Sequence, residues 1–323
     1  MRLGSFGFPV ATPYSKDQVE SPAAGPLSRP TRLLAAALVA LLVLYSASAS
    51  LSGTASTIAA CLAILLFGLP HGTLDLEIIK RERGAGRLWI GALLLLYLGL
   101  AAAMGAVWFL APVDALAIFM VVAVVHFAED WPELRSKFLA QGMAIALLTT
   151  PALFHLAELE AVFTTLTGRS EGALVANLML LLAPVSVAVA SVSLWTLWRT
   201  GFHDQAMAGA LALAGMTMLP PVIGFACFFC LYHSPRHLGM ALSRTHIRFN
   251  ARWIVPVVTL AALGIAAALF AVDVRAELPA RFFAASFMTL SLLTVPHMAV
   301  PIVADALAER WSLARIRYAQ ATA

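Results

Sequence analysis

The sequence predicts an all-α integral membrane protein, a polytopic helical bundle of about ten transmembrane helices, within a range of roughly eight to ten. Hydrophobic residues make up 61% of the 323 residues and charged residues only 12%, and the mean hydropathy is +0.88. Soluble domains contain roughly 45–50% apolar and about 25% charged residues. The apolar residues also form successive runs near the length of about 20 residues that crosses a bilayer. A water-soluble globular fold is therefore excluded.

Each apolar run is predicted to be one membrane-spanning helix. The runs cover residues 33–52, 54–71, 88–110, 113–128, 138–157, 173–198, 206–219, 221–238, 252–272 and 280–300. Pro220 and Pro221 separate the seventh run from the eighth. Proline interrupts helical hydrogen bonding, so the sequence leaves open whether these two runs are separate helices or one interrupted segment.

The distribution of basic residues predicts the orientation of the spans. Lys and Arg collect on the cytoplasmic side of membrane proteins. If the N-terminus is cytoplasmic, only Arg169, Arg275 and Arg281 of the 21 Lys and Arg residues fall on the outer side. We therefore expect a multi-pass protein of the cytoplasmic membrane with both termini in the cytoplasm. The formal net charge of +4 is scattered between apolar runs, which argues against a nucleic-acid partner.

Histidines recur at or near the ends of four even-numbered spans, the second, fourth, eighth and tenth. These spans run in the same direction, so their imidazoles share one level near the cytoplasmic face. An ionisable side chain at membrane depth indicates function, because burying it without a partner is costly. His233 and His237 are four residues apart and so lie on one helical face. The set predicts a metal site, and it consists of His71, His126, His233, His237 and His297.

The donor set favours iron over a structural zinc ion. Neutral imidazoles leave coordination positions open, which suits Fe(II) and O2 better than a closed zinc site. One haem remains an alternative, whereas a diiron site would need more histidine pairs than the sequence contains. A zinc site that uses Cys230 is a weaker alternative, because no second cysteine pair accompanies it.

Carboxylates near these histidines are candidate partners of the imidazole rings. Asp75 follows His71 by four residues, and Glu129 and Asp130 closely follow His126. A carboxylate that accepts the free ring N–H fixes the imidazole and balances part of the metal charge. Glu129 and Asp130 are equally well explained as solvated charges at the membrane boundary, so Asp75 ranks first.

Four segments around these histidines carry a family resemblance. They read FGLPHGTLD at 67–75, HFAED at 126–130, FCLYHSPRH at 229–237 and PHM at 296–298. From about residue 55 onward, the chain resembles the Brp/Blh family of bacterial and archaeal β-carotene 15,15′-dioxygenases. The first and third segments are the most specific of the four. The HFAED segment departs from the family pattern where a glycine-containing turn is expected.

The resemblance implies a membrane-embedded, non-haem Fe(II) dioxygenase. Such an enzyme cleaves the central 15,15′ double bond of β-carotene with O2 and yields two molecules of all-trans-retinal. The implied metal ligands are His71, His126, His233 and His237, whereas His297 is expected to be a pocket residue or an outer partner of the metal site. The catalytic domain is then expected at 31–305, between cytoplasmic tails at 1–30 and 306–323.

A lipid-soluble substrate also requires an apolar binding site. The expected partners are β-carotene or a related polyene, O2, membrane lipid and a protein that accepts retinal. Aromatic side chains near the histidines are candidate walls of a substrate tunnel, although aromatics in apolar helices more often serve packing alone. These are Phe127, Phe228, Phe229 and Tyr232. The alternative function is a transporter for protons or metal ions that uses the buried histidines.

Overall fold

The computed structural model describes residues 26–48, 53–82, 86–245, 248–273 and 277–321, and it contains no strand among them. The α-helices in chain order are α1 (Arg29–Ser48), α2 (Thr54–Ala63), α3 (Asp75–Glu82), α4 (Arg87–Leu110), α5 (Pro112–Ala128), α6 (Lys137–Thr149), α7 (Pro151–Phe154), α8 (Leu156–Thr167), α9 (Gly172–Arg199), α10 (His203–Met218), α11 (Pro221–Phe228), α12 (Ser234–Thr245), α13 (Arg248–Val272) and α14 (Leu278–Ala321). Most of the expected N-terminal tail lies outside the described residues.

The helices confirm the all-α membrane bundle. Within the described ranges, seven helical stretches are long and apolar enough to cross a membrane. The shorter apolar helix α5 adds a further candidate. The expected number of about ten spans stays a prediction. The seventh and eighth apolar runs are separate helices, because α10 ends at Met218 and α11 begins at Pro221.

The helix α8 is absent from the sequence prediction. The run 138–157 is predicted to be a single span, but α6 and α7 cover it only as far as Phe154, and α8 then begins at Leu156. His155 separates the two, and its Nε2 lies 3.1 Å from the carbonyl oxygen of Thr217. Two glutamates make the segment of α8 resemble a polar loop in sequence, which hides its helical pattern.

Small residues allow the central helices α6 and α9 to pack closely. A Cβ atom at Gly142 of α6 would overlap the side chain of Val189 on α9. The hydroxyl of Ser193 on α9 donates to the carbonyl oxygen of Leu139 at 3.0 Å. Small side chains and hydroxyl groups are typical of helix contacts in membranes, where there is no water to drive association.

Two irregular helical segments meet near the histidines. The helix that begins with α2 continues as a π-helical turn (Ile64–Gly68) and a 3-10 turn (Leu69–Leu74), and a second π-helical turn (Phe229–His233) joins α11 to α12. The hydroxyl of Ser234 donates to the carbonyl oxygen of Phe67 at 2.7 Å. Such π turns are frequent at functional sites, since they redirect side chains out of the regular helical pattern.

A candidate metal centre

Four histidines from three separate parts of the chain form one cluster. His126 lies at the end of α5, His233 ends the second π turn, His237 lies in the first turn of α12, and His297 lies within α14. The ring centroids of His233, His237 and His297 are 4.6, 5.7 and 5.0 Å from that of His126. His126 and His233 are almost completely buried. The fold therefore gathers imidazoles that are distant in sequence.

Asp130 joins two of these histidines. It lies in the connection between α5 and α6 and is fully buried. Its Oδ2 is 2.7 Å from Nδ1 of His233, and its Oδ1 is 3.2 Å from Nε2 of His237. Burial alone would raise the pKa of Asp130, but the two facing imidazoles hold this pKa below its usual value. The ionised carboxylate keeps a proton on Nδ1 of His233, so Nε2 of His233 carries the lone pair.

The lone pair of His233 faces a second imidazole. Nε2 of His233 lies 2.9 Å from Nε2 of His126. Two nitrogen ligands of one ion, each bound at about 2.0–2.1 Å and at right angles, are roughly 3 Å apart. The same separation fits an N–H···N hydrogen bond when no ion is bound. The donor set therefore fits a divalent metal that prefers imidazole.

A second donor set overlaps the set of His126, His233 and His237. Asp130, His233 and His237 each offer a ligand atom within 4.8 Å of the others. Two histidines and one carboxylate are the ligand group of many non-haem Fe(II) oxygenases. His233 and His237 belong to both sets. The two sets therefore differ only in their third donor, which is His126 in one and Asp130 in the other.

Asp75 takes a partner that the sequence does not predict. Its Oδ2 is 2.6 Å from Nδ1 of His297, which lies at the opposite end of the chain. The side chain of His71, with which sequence spacing pairs Asp75, lies outside the described residues. The 3-10 turn that contains residue 71 nevertheless contacts the cluster, because a Cβ atom at Gly72 would lie 3.1 Å from Nδ1 of His297.

Aromatic rings pack around the imidazole of His233. The ring of Phe229 stacks on His233 at 5.3 Å between centroids, and Phe127 meets it edge-on at 5.0 Å. Phe228 lies further off, at 6.0 Å. All three side chains are buried. This packing excludes water from the imidazole and fixes the plane of its ring.

The sequence does not predict an ion pair that lies close to the histidines. Arg236 lies between His233 and His237, and it donates to Glu133 Oε1 at 3.0 Å and to the hydroxyl of Tyr232 at 2.7 Å. These contacts hold α12 against the connection that carries Asp130. The SPR sequence between the two histidines is the available signal, but nothing local identifies Glu133 as the partner.

Two apolar cavities lie beside the cluster. The smaller, of about 60 Å³, is lined by Phe127 together with residues of α5, α8 and α11. The larger, of about 570 Å³, reaches Asp75 and His297. Phe228, Phe229 and Tyr232 line neither of these two cavities. A substrate-binding role for the four expected aromatic residues stays a prediction.

Comparison with protein-family models matches residues 62–303 to the family described as β-carotene 15,15′-dioxygenase. The chain belongs to this family. It is 27% identical to a β-carotene 15,15′-dioxygenase of an uncultured marine bacterium, over 73% of this chain and 90% of the relative. It is 26% identical to a probable β-carotene 15,15′-dioxygenase, Blh, of Halobacterium salinarum, over 72% of this chain and 76% of the relative.

No solved structure matches the chain significantly. Membership of the β-carotene 15,15′-dioxygenase family confirms the resemblance seen in the sequence, and it makes the chain a carotenoid-cleaving dioxygenase. It also favours an enzyme over the transporter that is the alternative. A dioxygenase family is consistent with a metal cofactor at the histidine cluster.

Proposed function

We propose that this protein is an Fe(II)-dependent enzyme that cleaves the central 15,15′ double bond of β-carotene with O2 and produces two molecules of all-trans-retinal. The observation that carries the proposal is the cluster of His126, His233 and His237, in which Asp130 contacts His233 and His237, near two apolar cavities. We place the enzyme in the cytoplasmic membrane with both termini in the cytoplasm, on the basis of its loop charges.

His126, His233 and His237 would hold the iron, together with His71 as the family resemblance implies. Non-haem iron supplies the O2 chemistry that amino-acid side chains cannot perform. Asp130 keeps the imidazole of His233 in the tautomer that presents Nε2, and its negative charge offsets part of the charge of the ion. Asp75 would fix the tautomer of His297 in the same way, through Nδ1.

The reaction places few chemical demands on the protein. One carbon–carbon double bond breaks, and each of its carbons takes one oxygen atom of O2, so protons and electrons balance without a further reactant. Neither a nucleophilic side chain nor a general base is needed. What the chain contributes is binding, orientation and exclusion of water, which together account for large rate effects when the reacting bond is held in place.

Selection of one bond among many would follow from occupation of both cavities. The polyene has two long apolar halves, and we infer that one half occupies the larger cavity beside His297 and the other the smaller cavity beside Phe127. The double bond between the halves is then held at the cluster. The smaller cavity must widen to hold its half, which side-chain movement on binding allows. A protein that accepts the released retinal is a further expected partner.

Expression in a bacterium that accumulates β-carotene tests the proposal. We expect the orange colour to fade and retinal to appear in extracts, while the His233→Ala variant leaves the pigment unchanged. The purified protein should contain about one iron per chain, consistent with a single mononuclear site. Unchanged pigment with an iron-loaded protein would require another substrate, and stoichiometric zinc would overturn the iron site.

A further inference from the structure

The larger cavity is enclosed by three membrane helices, the short helix α3 and one irregular turn. Residues of α4, α13 and α14 line it together with α3 and the 3-10 turn that precedes α3. Its volume of about 570 Å³ is within the range of roughly 300–1,000 Å³ that is usual for small-molecule sites. Both α4 and α13 pack against α14. The cavity is therefore a gap between α4 and α13 with α14 as its floor.

One end of this cavity reaches the metal centre. His297 and Asp75 are both part of its wall, and their side chains are hydrogen-bonded to each other. The imidazole of His297 is also 5.0 Å from that of His126, between ring centroids. A molecule in the cavity would therefore lie directly beside the histidine cluster.

The same cavity opens on the outside of the bundle. Leu94 and Leu98 of α4 and Val258 of α13 line the cavity, yet they are 45%, 56% and 40% exposed. Residues that both line a cavity and contact the surroundings mark its opening. They belong to helices long and apolar enough to span a membrane. The opening consequently faces the acyl chains of the lipid.

The polar side of the cavity has different chemistry. Glu77 lines it and pairs with Lys80 at 3.4 Å, and Lys80 is half exposed. A hydrocarbon forms no favourable interactions with these charged groups. Entry from the aqueous side would also expose its apolar surface to water, which costs free energy in proportion to that surface. Entry through the apolar opening avoids this exposure to water.

We propose that the gap between α4 and α13 is a lateral portal through which the carotenoid passes from the bilayer to the histidine cluster. This inference rests on the proposed function for the identity of the molecule. The portal is defined by Leu94, Leu98 and Val258, and its inner end by His297. The substrate then moves from lipid to the site without meeting water.

Bulky substitutions at the portal test the proposal against matched neighbours. Leu94→Trp and Val258→Trp place an indole in the opening. Their controls are Leu95→Trp and Val257→Trp, at adjacent exposed residues that do not line the cavity. We expect the portal variants to lower kcat/KM for β-carotene in membranes by about tenfold at unchanged iron content. The control variants should remain within about twofold of the unsubstituted protein.

A second measurement separates the portal from the reaction. Iron-free protein in vesicles is mixed with β-carotene-loaded vesicles, and carotenoid that copurifies with the protein is measured over time by its absorbance. Slower uptake by Leu94→Trp and Val258→Trp than by their controls supports the portal, even if the protein forms no retinal. Equal uptake and equal kcat/KM in portal and control variants would overturn the portal, while retinal formation by all of them would leave the proposed function intact.

Discussion

The two carboxylates of the histidine cluster work in different surroundings. Asp130 is fully buried and faces both His233 and His237, among packed aromatic rings. Asp75 is hydrogen-bonded to His297 and lies in the wall of the larger cavity. We call Asp130, His233 and His237 the Asp130 half of the site, and it is closely packed. We call Asp75 and His297 the Asp75 half, and it adjoins the space that a substrate would occupy.

This difference indicates that the two halves contribute differently to metal binding and to turnover. A buried carboxylate with two imidazole partners gives a rigid support for a metal, because both of its oxygens have partners without water. A carboxylate beside a cavity can fix one imidazole while leaving room for a ligand. We therefore expect changes in the Asp130 half to affect metal binding most, and changes in the Asp75 half to affect turnover.

Removal of single histidines gives the largest expected effects. His233→Ala should abolish stoichiometric iron binding and activity, beyond the roughly 10–100-fold loss usual for outer partners of a metal site. The change also leaves Asp130 buried without its principal partner. His297→Ala should keep most of the iron and lose turnover. Metal analysis and retinal formation are measured together, and loss of iron in His297→Ala would make the two halves equivalent.

His126→Ala decides which donor set holds the metal. If the histidines are the ligands, this variant loses iron as His233→Ala does. Retention of iron would indicate the set of Asp130, His233 and His237. Metal content of the purified variants, referred to protein concentration, distinguishes the two results.

Substitution of Asp130 should reduce iron affinity more than substitution of Asp75. Asp130→Asn removes the charge and replaces one acceptor oxygen by an NH2 group, so one of the two imidazoles loses the oxygen that it faces. We expect a loss of roughly 10–100-fold in iron affinity. Asp75→Asn should cost less than about tenfold in affinity but lower kcat, since it affects one imidazole beside the cavity. Iron titration of each variant provides the comparison, and equal losses would contradict it.

Filling the smaller cavity should alter the products. Ala123 lines this cavity, so Ala123→Leu reduces the room for one half of the polyene. We expect turnover to fall by roughly tenfold and cleavage to move away from the central bond, because small displacements of reacting groups have large rate effects. Ala115→Leu is the control: Ala115 is buried on the same helix but lines neither cavity. Chromatography of the aldehydes would show whether only the first variant yields fragments of unequal length.

The smallest effects are expected at two glycines. A Cβ at Gly68 would overlap the ring of Phe229, which stacks on His233, so Gly68→Ala should destabilise the fold by about 1–3 kcal/mol. At Gly72 the nearest atom is Nδ1 of His297 at 3.1 Å, and a small shift accommodates the methyl group. Thermal denaturation in detergent should therefore show a larger decrease in Tm for Gly68→Ala, and the reverse order would mean that the Asp75 half is the more tightly packed.

Much of the architecture is predictable from the sequence, because the signals are local. The length of each apolar run predicts a membrane helix, and the spacing of His233 and His237 places them on one face. The helix α8 escapes prediction, since its two glutamates outweigh its apolar pattern. The motifs around the histidines are specific enough to indicate the family, because they join histidine to proline, glycine and aspartate at short, fixed spacings.

The sequence by itself determined the membrane-bundle class, the approximate positions of most apolar helices and the histidines that recur at the ends of apolar runs. Only the tertiary structure decided which carboxylate is hydrogen-bonded to which imidazole. Asp130 and His233 are 103 residues apart, and Asp75 and His297 are 222 residues apart. Spacing within one segment cannot encode such pairs, because they depend on how distant helices pack and on which polar groups that packing leaves facing each other.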